Sequence, residues 1–147
     1  MVKRTISNWF RESTPSPTKQ NKTTQLGCHF EEVAEMLDTL AIREDGHNKL
    51  ADAYKAMHEL AEYAKANPGG LVIKMGLREE FLDSICDQVV TGIGCAVLNR
   101  MQVEDAIAEV NDSNWSKFVN GKPVRDEHSQ KILKGPDYFK ADLSKYI

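Results

Sequence analysis

The feature that most constrains the fold is an apolar spacing of three and four residues that recurs in four separate segments. In the first segment the apolar residues at this spacing are Leu26, Phe30, Val33, Leu37 and Leu40. This spacing places side chains on one face of an α-helix. We therefore predict helices over about residues 25–41, 48–66, 77–99 and 103–111, the last extending a little further.

The connections between these segments are short and contain helix-breaking residues. Gly46 lies between the first two segments, and the run Asn67-Pro68-Gly69-Gly70 ends the second. Four helices with short connections predict an all-α fold, an antiparallel four-helix bundle. The run LVIKMG over 71–76 fits either a short strand or a buried segment that leads into the third helix.

The third predicted helix is apolar or small on nearly every side over residues 89–98. A helix of this kind is typically buried at the centre of a fold. Four helices form a thin core around it, so we expect a homodimer, or a dimer of dimers, that completes the bundle.

Three regions are predicted along the chain. Residues 1–24 form an N-terminal arm, because the stretch before Gln25 is rich in Pro, Ser, Thr and Lys and lacks apolar periodicity. Trp9 and Phe10 are expected to dock a short helix of this arm onto the body. Residues 25–118 form the helical domain that carries the chemistry, and residues 119–147 form an irregular tail that packs on it.

Composition argues against several classes of partner. The formal net charge of −3 disfavours duplex nucleic acid, whose binding requires dense Lys and Arg. No continuous apolar run is long enough to predict a membrane partner. The three cysteines, Cys28, Cys86 and Cys95, are odd in number and scattered along the chain, which disfavours a disulfide framework or a zinc site. Reduced cysteines predict a cytoplasmic protein, located in the host cytoplasm if it is encoded by a phage.

Two acidic sets lie on two of the predicted helices. Glu31, Glu32 and Glu35 lie opposite the apolar stripe of the first helix and, taken alone, resemble a solvated face. On the third helix, acidic residues at i, i+3 and i+7 continue into a small and apolar seam: Glu80, Asp83, Asp87, Thr91, Gly94 and Leu98. A solvated face would stay polar along its length, so the second row favours a site at the mouth of a helix interface.

Carboxylates this close repel one another unless a cation neutralises them. Oxygen ligands without His or Cys favour Mg²⁺, with Mn²⁺ as the alternative. A di-iron bundle requires Glu-x-x-His on two helices. The only such match is Glu44 with His47, and Gly46 interrupts the helix there.

The acidic motifs resemble those of the all-α NTP pyrophosphatases, the MazG-like enzymes and their phosphoribosyl-ATP pyrophosphohydrolase relatives. The similarity rests on Glu31-Glu32-Val-Ala-Glu35, on Glu80-Phe-Leu-Asp83, on the run DSICDQVVTGIGCAVL and on the tail SNWSKFVNGKPVRDEHSQKILKGPDYF. It covers about residue 25 to the end and is similar to short phage and bacterial members. The segment between the two acidic motifs is longer than in the most compact members.

The resemblance implies Mg²⁺-dependent hydrolysis of a nucleoside triphosphate between the α and β phosphates, giving a monophosphate and pyrophosphate. It implies that the metal ligands are Glu32, Glu35, Glu80 and Asp83. Glu31 would be a further ligand or the proton acceptor for the attacking water, and Glu32 shares this catalytic assignment, because sequence does not separate these roles.

The resemblance also implies donors that hold the substrate, namely Asn111, Asn114 and Lys117. Asp87 would lie behind the ligands or bind base or ribose. In the tail, Lys134 is a phosphate candidate with Lys122, Arg125 and Lys131, for which ordinary surface charge is the alternative. Trp115 and Tyr138 fit core or tail packing better than base stacking.

Two other functions fit the same residues. A phosphoribosyl-ATP pyrophosphohydrolase would use the same site on a biosynthetic substrate. A non-enzymatic helical module that binds a protein or nucleotide would use the carboxylates only as surface, and Mg²⁺ would not stabilise it.

Overall fold

The computed structural model describes residues 3–43, 48–127 and 131–147. Within them lie α1 (Ile6–Ser13), α2 (Lys19–Asp38), α3 (Lys49–Ala66), α4 (Arg78–Leu98), α5 (Val103–Trp115) and a 3-10 helix (Ser144–Tyr146). These described residues include two isolated β-bridges and no strand. The prediction of an all-α chain is confirmed. Gly46, Glu44, His47 and the tail residue His128 lie outside the described residues.

The chain divides into two compact units. One comprises Ser16–Met75 and contains α2 and α3; the other comprises Met1–Pro15 with Gly76–Ile147 and contains the remaining helices. The predicted arm is therefore divided, because its first part belongs with the C-terminal half of the chain and its last part with α2.

The α2–α3 pair packs through small side chains. Ala34, Ala61 and Ala64 are fully buried, and Gly27 of α2 lies against the Ala61 carbonyl. A Cβ atom placed on Gly27 would lie 2.7 Å from that oxygen. Small residues on facing helices allow their backbones to approach closely, so this pair is held by contact of helix surfaces more than by large interlocking side chains.

The start of α2 differs from the predicted start at Gln25. Thr18 caps the helix: its hydroxyl accepts from the Asn21 amide, and the Asn21 side chain accepts from the Thr18 amide. This reciprocal cap begins the helix six residues earlier, in a stretch predicted as loop. Thr23 is buried there, and its hydroxyl donates to backbone carbonyls one turn back. The helix ends at Asp38, so Leu40 lies beyond it.

In the other unit, α1 packs on α5 through aromatic rings. Trp9 stacks on Phe118 with centroids 5.9 Å apart, and Trp115 meets Phe118 edge-on at 5.2 Å. The Trp9 indole donates to the Asn114 carbonyl and the Trp115 indole to the Thr5 carbonyl. The expected docking of a short N-terminal helix is therefore present, and its contact is with α5.

The prediction that the third helix is buried is wrong for the single chain. None of the residues of α4 is buried, and Val90 and Leu98 are 66% and 86% exposed. Within the described residues, α4 is also long and apolar enough to cross a membrane by length and composition alone, with a mean hydropathy of 1.4 over 18 residues. This corrects the expectation that no segment reaches that length. One such helix is weak support for a membrane span.

The remaining segments that the structure describes lack regular helices and strands. Residues 71–77 contain turns and no strand, which excludes the strand alternative for LVIKMG. In the tail, isolated antiparallel bridges join Val119 with Lys122 and Arg125 with Ile132.

Candidate functional site

The first acidic row lies on the second half of α2. Glu32 and Glu35 are exposed, whereas Glu31 is half-buried at the side of α2 that faces α3. Their neighbour Ala34 is fully buried. The helix therefore buries its small residues against α3 and presents Glu32 and Glu35 to solvent, where their oxygens are accessible to a cation.

Glu31 forms an ion pair that the sequence did not predict. Its Oε2 atom lies 2.6 Å from Lys65 Nζ in the last turn of α3, and Glu62 Oε1 lies 3.6 Å from the same ammonium. Burial lowers the pKa of Lys65, but the hydrogen bond and charge of Glu31 outweigh it, so the pKa lies above its ordinary value. The sequence feature that could have predicted this ion pair is the spacing of Ala61 and Ala64, which places two small residues on the face of α3 that packs on α2, next to Lys65.

The second acidic row lies at the start of α4, in the other unit. Glu80, Asp83 and Asp87 are all exposed. Glu80 lies in the first helical turn, where the unpaired amides of the N-terminus favour negative charge. The predicted continuation of the row holds for the helix itself, since Thr91 lies one turn after Asp87 and its hydroxyl donates to the Asp87 carbonyl.

The donor chemistry of both rows suits Mg²⁺, which prefers carboxylate oxygens and keeps several waters. Among residues 3–43, 48–127 and 131–147, however, no three His, Cys, Asp or Glu side chains are grouped so as to hold a metal ion. Neither row by itself therefore forms a complete set of metal ligands.

Three of the predicted substrate-binding residues form hydrogen bonds within their own unit. The Asn111 side-chain amide donates to the Arg4 carbonyl at 3.1 Å, which ties α5 to the segment before α1. Lys117 Nζ donates to Asn114 Oδ1 at 2.7 Å, and both side chains are half-buried. Asn114 and Lys117 thus form one polar pair just beyond the aromatic cluster of Trp9, Trp115 and Phe118.

The tail candidates have different surroundings. Lys134 is exposed, with Nζ 4.7 Å from the centre of the Tyr138 ring. Arg125 donates to the Ser13 carbonyl at 2.6 Å and to the Thr14 hydroxyl, so it ties the tail to the end of α1. Trp115 is buried in the aromatic cluster, which agrees with the core role favoured for it.

A further cluster surrounds Glu109 of α5 and was missed from the sequence. Lys145 Nζ lies 2.5 Å from its carboxylate, the Asp142 amide donates to it at 2.6 Å and the Tyr146 hydroxyl at 2.9 Å. These hydrogen bonds, the one from Lys145 foremost, hold the pKa of Glu109 below its usual range. The cluster borders an open groove of about 540 Å³ lined also by Asp105, Asp112 and Phe139. The contacts of Lys145 and Tyr146 with Glu109 hold the C-terminal 3-10 helix against α5.

Comparisons of the chain with protein-family models, curated proteins and solved structures found no match.

Proposed function

We propose that the protein is a Mg²⁺-dependent nucleoside triphosphate pyrophosphohydrolase that cleaves between the α and β phosphates. The observation that carries the proposal is the pair of acidic rows, each on a regular helix, in which Glu32, Glu35, Glu80 and Asp83 are exposed. Exposed like charges at one-turn spacing are mutually unfavourable, and binding of divalent cations relieves that repulsion. The sequence resemblance supplies the reaction type.

In this proposal, Glu32 and Glu35 on α2 and Glu80 and Asp83 on α4 are carboxylate ligands of Mg²⁺. Bound Mg²⁺ would neutralise phosphate charge and polarise a water molecule. What the chain itself contributes is the regular helical spacing that fixes the carboxylates of each row relative to one another. Because phosphoryl transfer depends largely on positioning and charge neutralisation, rigid helices are a suitable support for these ligands.

Asn114 and Lys117 provide the substrate-holding donors of the proposal. Lys117 is a cation whose half-buried side chain is oriented by Asn114, and α1 supports this pair through the bond from Trp9 to the Asn114 carbonyl. Asn111 is a weaker candidate for substrate binding, because its side-chain amide already donates to the Arg4 carbonyl. Asp87 and Lys134 are exposed and accessible to a nucleotide.

A homodimer is part of the proposal. The exposed apolar residues of α4 include Leu82, Val89, Val90 and Val97, whose spacing of seven and eight residues puts them on one side of the helix. Contact with a second copy would remove this surface from water.

The test is a panel of NTPs, dNTPs and phosphoribosyl-ATP incubated with purified protein, with and without Mg²⁺, followed by product analysis. We expect a monophosphate and pyrophosphate, with Mg²⁺ required. Release of inorganic phosphate would contradict cleavage between the α and β phosphates. Exclusive turnover of phosphoribosyl-ATP would assign the biosynthetic reaction instead.

Ligand substitutions test the residues. Glu35→Ala and Asp83→Ala should each lower kcat/KM by about 100-fold or more, since loss of even a supporting contact at a metal site costs about 10–100-fold. The matched control is Glu59→Ala, an exposed carboxylate on α3. Activity of Glu35→Ala and Asp83→Ala equal to that of Glu59→Ala would rule out these carboxylates as ligands.

A further inference from the structure

Lys65 is fixed in place by three separate contacts within the α2–α3 unit. The Gln20 side-chain amide donates to its backbone carbonyl at 2.9 Å. Its aliphatic stem lies against Gly27, where a Cβ atom would come within 2.8 Å of Lys65 Cγ. Its ammonium lies 2.6 Å from Glu31 Oε2. Backbone, stem and head group are therefore all held, which leaves the ammonium a restricted range of positions beside Glu31.

A second lysine on the same helix shows what an ordinary surface pair looks like. Lys55 Nζ lies 3.8 Å from Glu59, and their side chains are 74% and 67% exposed. Pairs of this kind contribute little, because water and salt screen them. Lys65 and Glu31 are 26% and 36% exposed and lie more than 1 Å closer. The pair of Lys65 and Glu31 is therefore shorter and less exposed to solvent than the surface pair of Lys55 and Glu59.

The position of Glu31 gives this contact a consequence for the site. Glu31 directly precedes Glu32, and Glu35 follows one turn later on the same helix. An unpaired Glu side chain at a helix surface samples several rotamers, and ordering it on binding costs free energy. A lysine that already holds one carboxylate oxygen removes part of that cost before Mg²⁺ and nucleotide arrive.

We propose that Lys65 is a positioning residue that fixes the carboxylate of Glu31 next to the metal-binding carboxylates of α2. The inference rests on the proposed pyrophosphohydrolase function and adds a residue from α3 to it. Lys65 acts through Glu31 and need not touch substrate. Glu62, 3.6 Å from the same ammonium, is a weaker second partner whose removal should matter less.

The experiment compares Lys65→Met with Lys65→Arg and with the control Lys55→Met, in the full chain. Met keeps an apolar side chain that can pack against Gly27 and removes the charge. We expect Lys65→Met to lower kcat by about 10–100-fold and to raise the Mg²⁺ concentration for half-maximal activity, as loss of a supporting contact at a metal site does. Lys65→Arg should restore part of the activity, and Lys55→Met should match the wild type.

A double-mutant cycle separates positioning from general destabilisation. If Lys65 acts through Glu31, the variant carrying both Glu31→Gln and Lys65→Met should be no slower than Glu31→Gln alone. Additive losses would overturn the inference, because they would mean that Lys65 acts independently of Glu31. If circular dichroism shows that Lys65→Met is unfolded, Lys65→Gln takes its place in the cycle.

The outcomes for this inference and for the proposed function are distinct. A wild-type protein that hydrolyses nucleotides while Lys65→Met stays within twofold of it would overturn the positioning role and leave the function standing. A wild-type protein that neither hydrolyses any nucleotide of the panel nor is stabilised by Mg²⁺ with nucleotide would overturn both.

Discussion

At the scale of single residues, glycine decides how closely α2 and α3 approach. Gly27 is a helical residue that would ordinarily be replaced by Ala with a gain of about 1 kcal/mol in helix stability. Here its missing side chain makes room for the Ala61 carbonyl and the Lys65 stem. The same absence thus allows helix packing and seats the lysine that contacts Glu31.

Gly27→Ala should therefore destabilise the protein instead of stabilising it. The added Cβ would lie 2.7 Å from a backbone oxygen, which cannot move aside as a side chain can. We expect a loss of about 1–3 kcal/mol in the free energy of unfolding, as for overpacking in a core. Urea denaturation followed by circular dichroism measures it.

The control for Gly27→Ala is Lys22→Ala, an exposed position on the same helix, which should change stability by less than about 0.5 kcal/mol. A Gly27→Ala variant as stable as this control would mean that α2 and α3 do not pack as described.

At the scale of elements, two short helices at the chain ends are both fastened to α5. α1 docks by rings and backbone hydrogen bonds, through Trp9 and Trp115. The C-terminal 3-10 helix docks through charge and polar contacts at Glu109, and the Gln102 amide donates to the Tyr146 carbonyl. The first attachment is mainly apolar and the second is mainly electrostatic, so they should respond to different perturbations.

Trp9→Ala tests the apolar attachment. Loss of the half-buried ring removes its stacking on Phe118 and its bond to the Asn114 carbonyl, and we expect a loss of about 2 kcal/mol, less than for a fully buried Trp. Chemical denaturation measures the stability, and Ile6→Ala, about half exposed on the same helix, is the control. Equal effects of the two substitutions would contradict the docking of α1 through Trp9.

Acid should loosen the C-terminal attachment. The pKa of Glu109 is lowered in the folded chain, so its contribution is fully present above the unfolded pKa of about 4.3 and is lost as pH falls through the lower folded value. The protection factor of the Gln102 amide in hydrogen exchange should fall in that range. In Glu109→Gln it should already be low at neutral pH and vary little.

Glu104→Gln, another carboxylate of α5, is the control for the acid effect and should keep the wild-type profile. Amides of α2 and α3 measured in the same sample distinguish local opening from global unfolding. If Glu109→Gln retained the wild-type pH profile, Glu109 would not be the group responsible.

At the scale of the whole molecule, the main feature is the exposed apolar surface of α4. Its sequence is that of a buried helix, yet in the single chain most of its large apolar residues are exposed and none is buried. Exposed apolar surface of this extent is unusual for a monomer. A second copy is the occupant that the proposed homodimer supplies.

Val90→Glu tests the dimer. A charge on the exposed face of α4, repeated by symmetry in the second copy, costs several kcal/mol, so the dimer Kd should rise by about 100-fold or more. Sedimentation equilibrium measures it, with Leu40→Glu, exposed beyond the end of α2, as the control. A monomeric wild type would contradict the homodimer.

The sequence by itself determined the helices, because apolar periodicity, Pro68 and the glycines act over a few residues. It located α3, α4 and α5 closely and predicted the start of α2 too late, since the cap formed by Thr18 and Asn21 was not recognised. The carboxylates of each row share a helix and therefore followed from spacing alone. Only the tertiary structure decided which side chains meet across elements: Lys65 with Glu31, Trp9 with Asn114, and Lys145 with Glu109. These partners are separated by tens of residues or more, and packing brings them together without leaving a local pattern in the sequence.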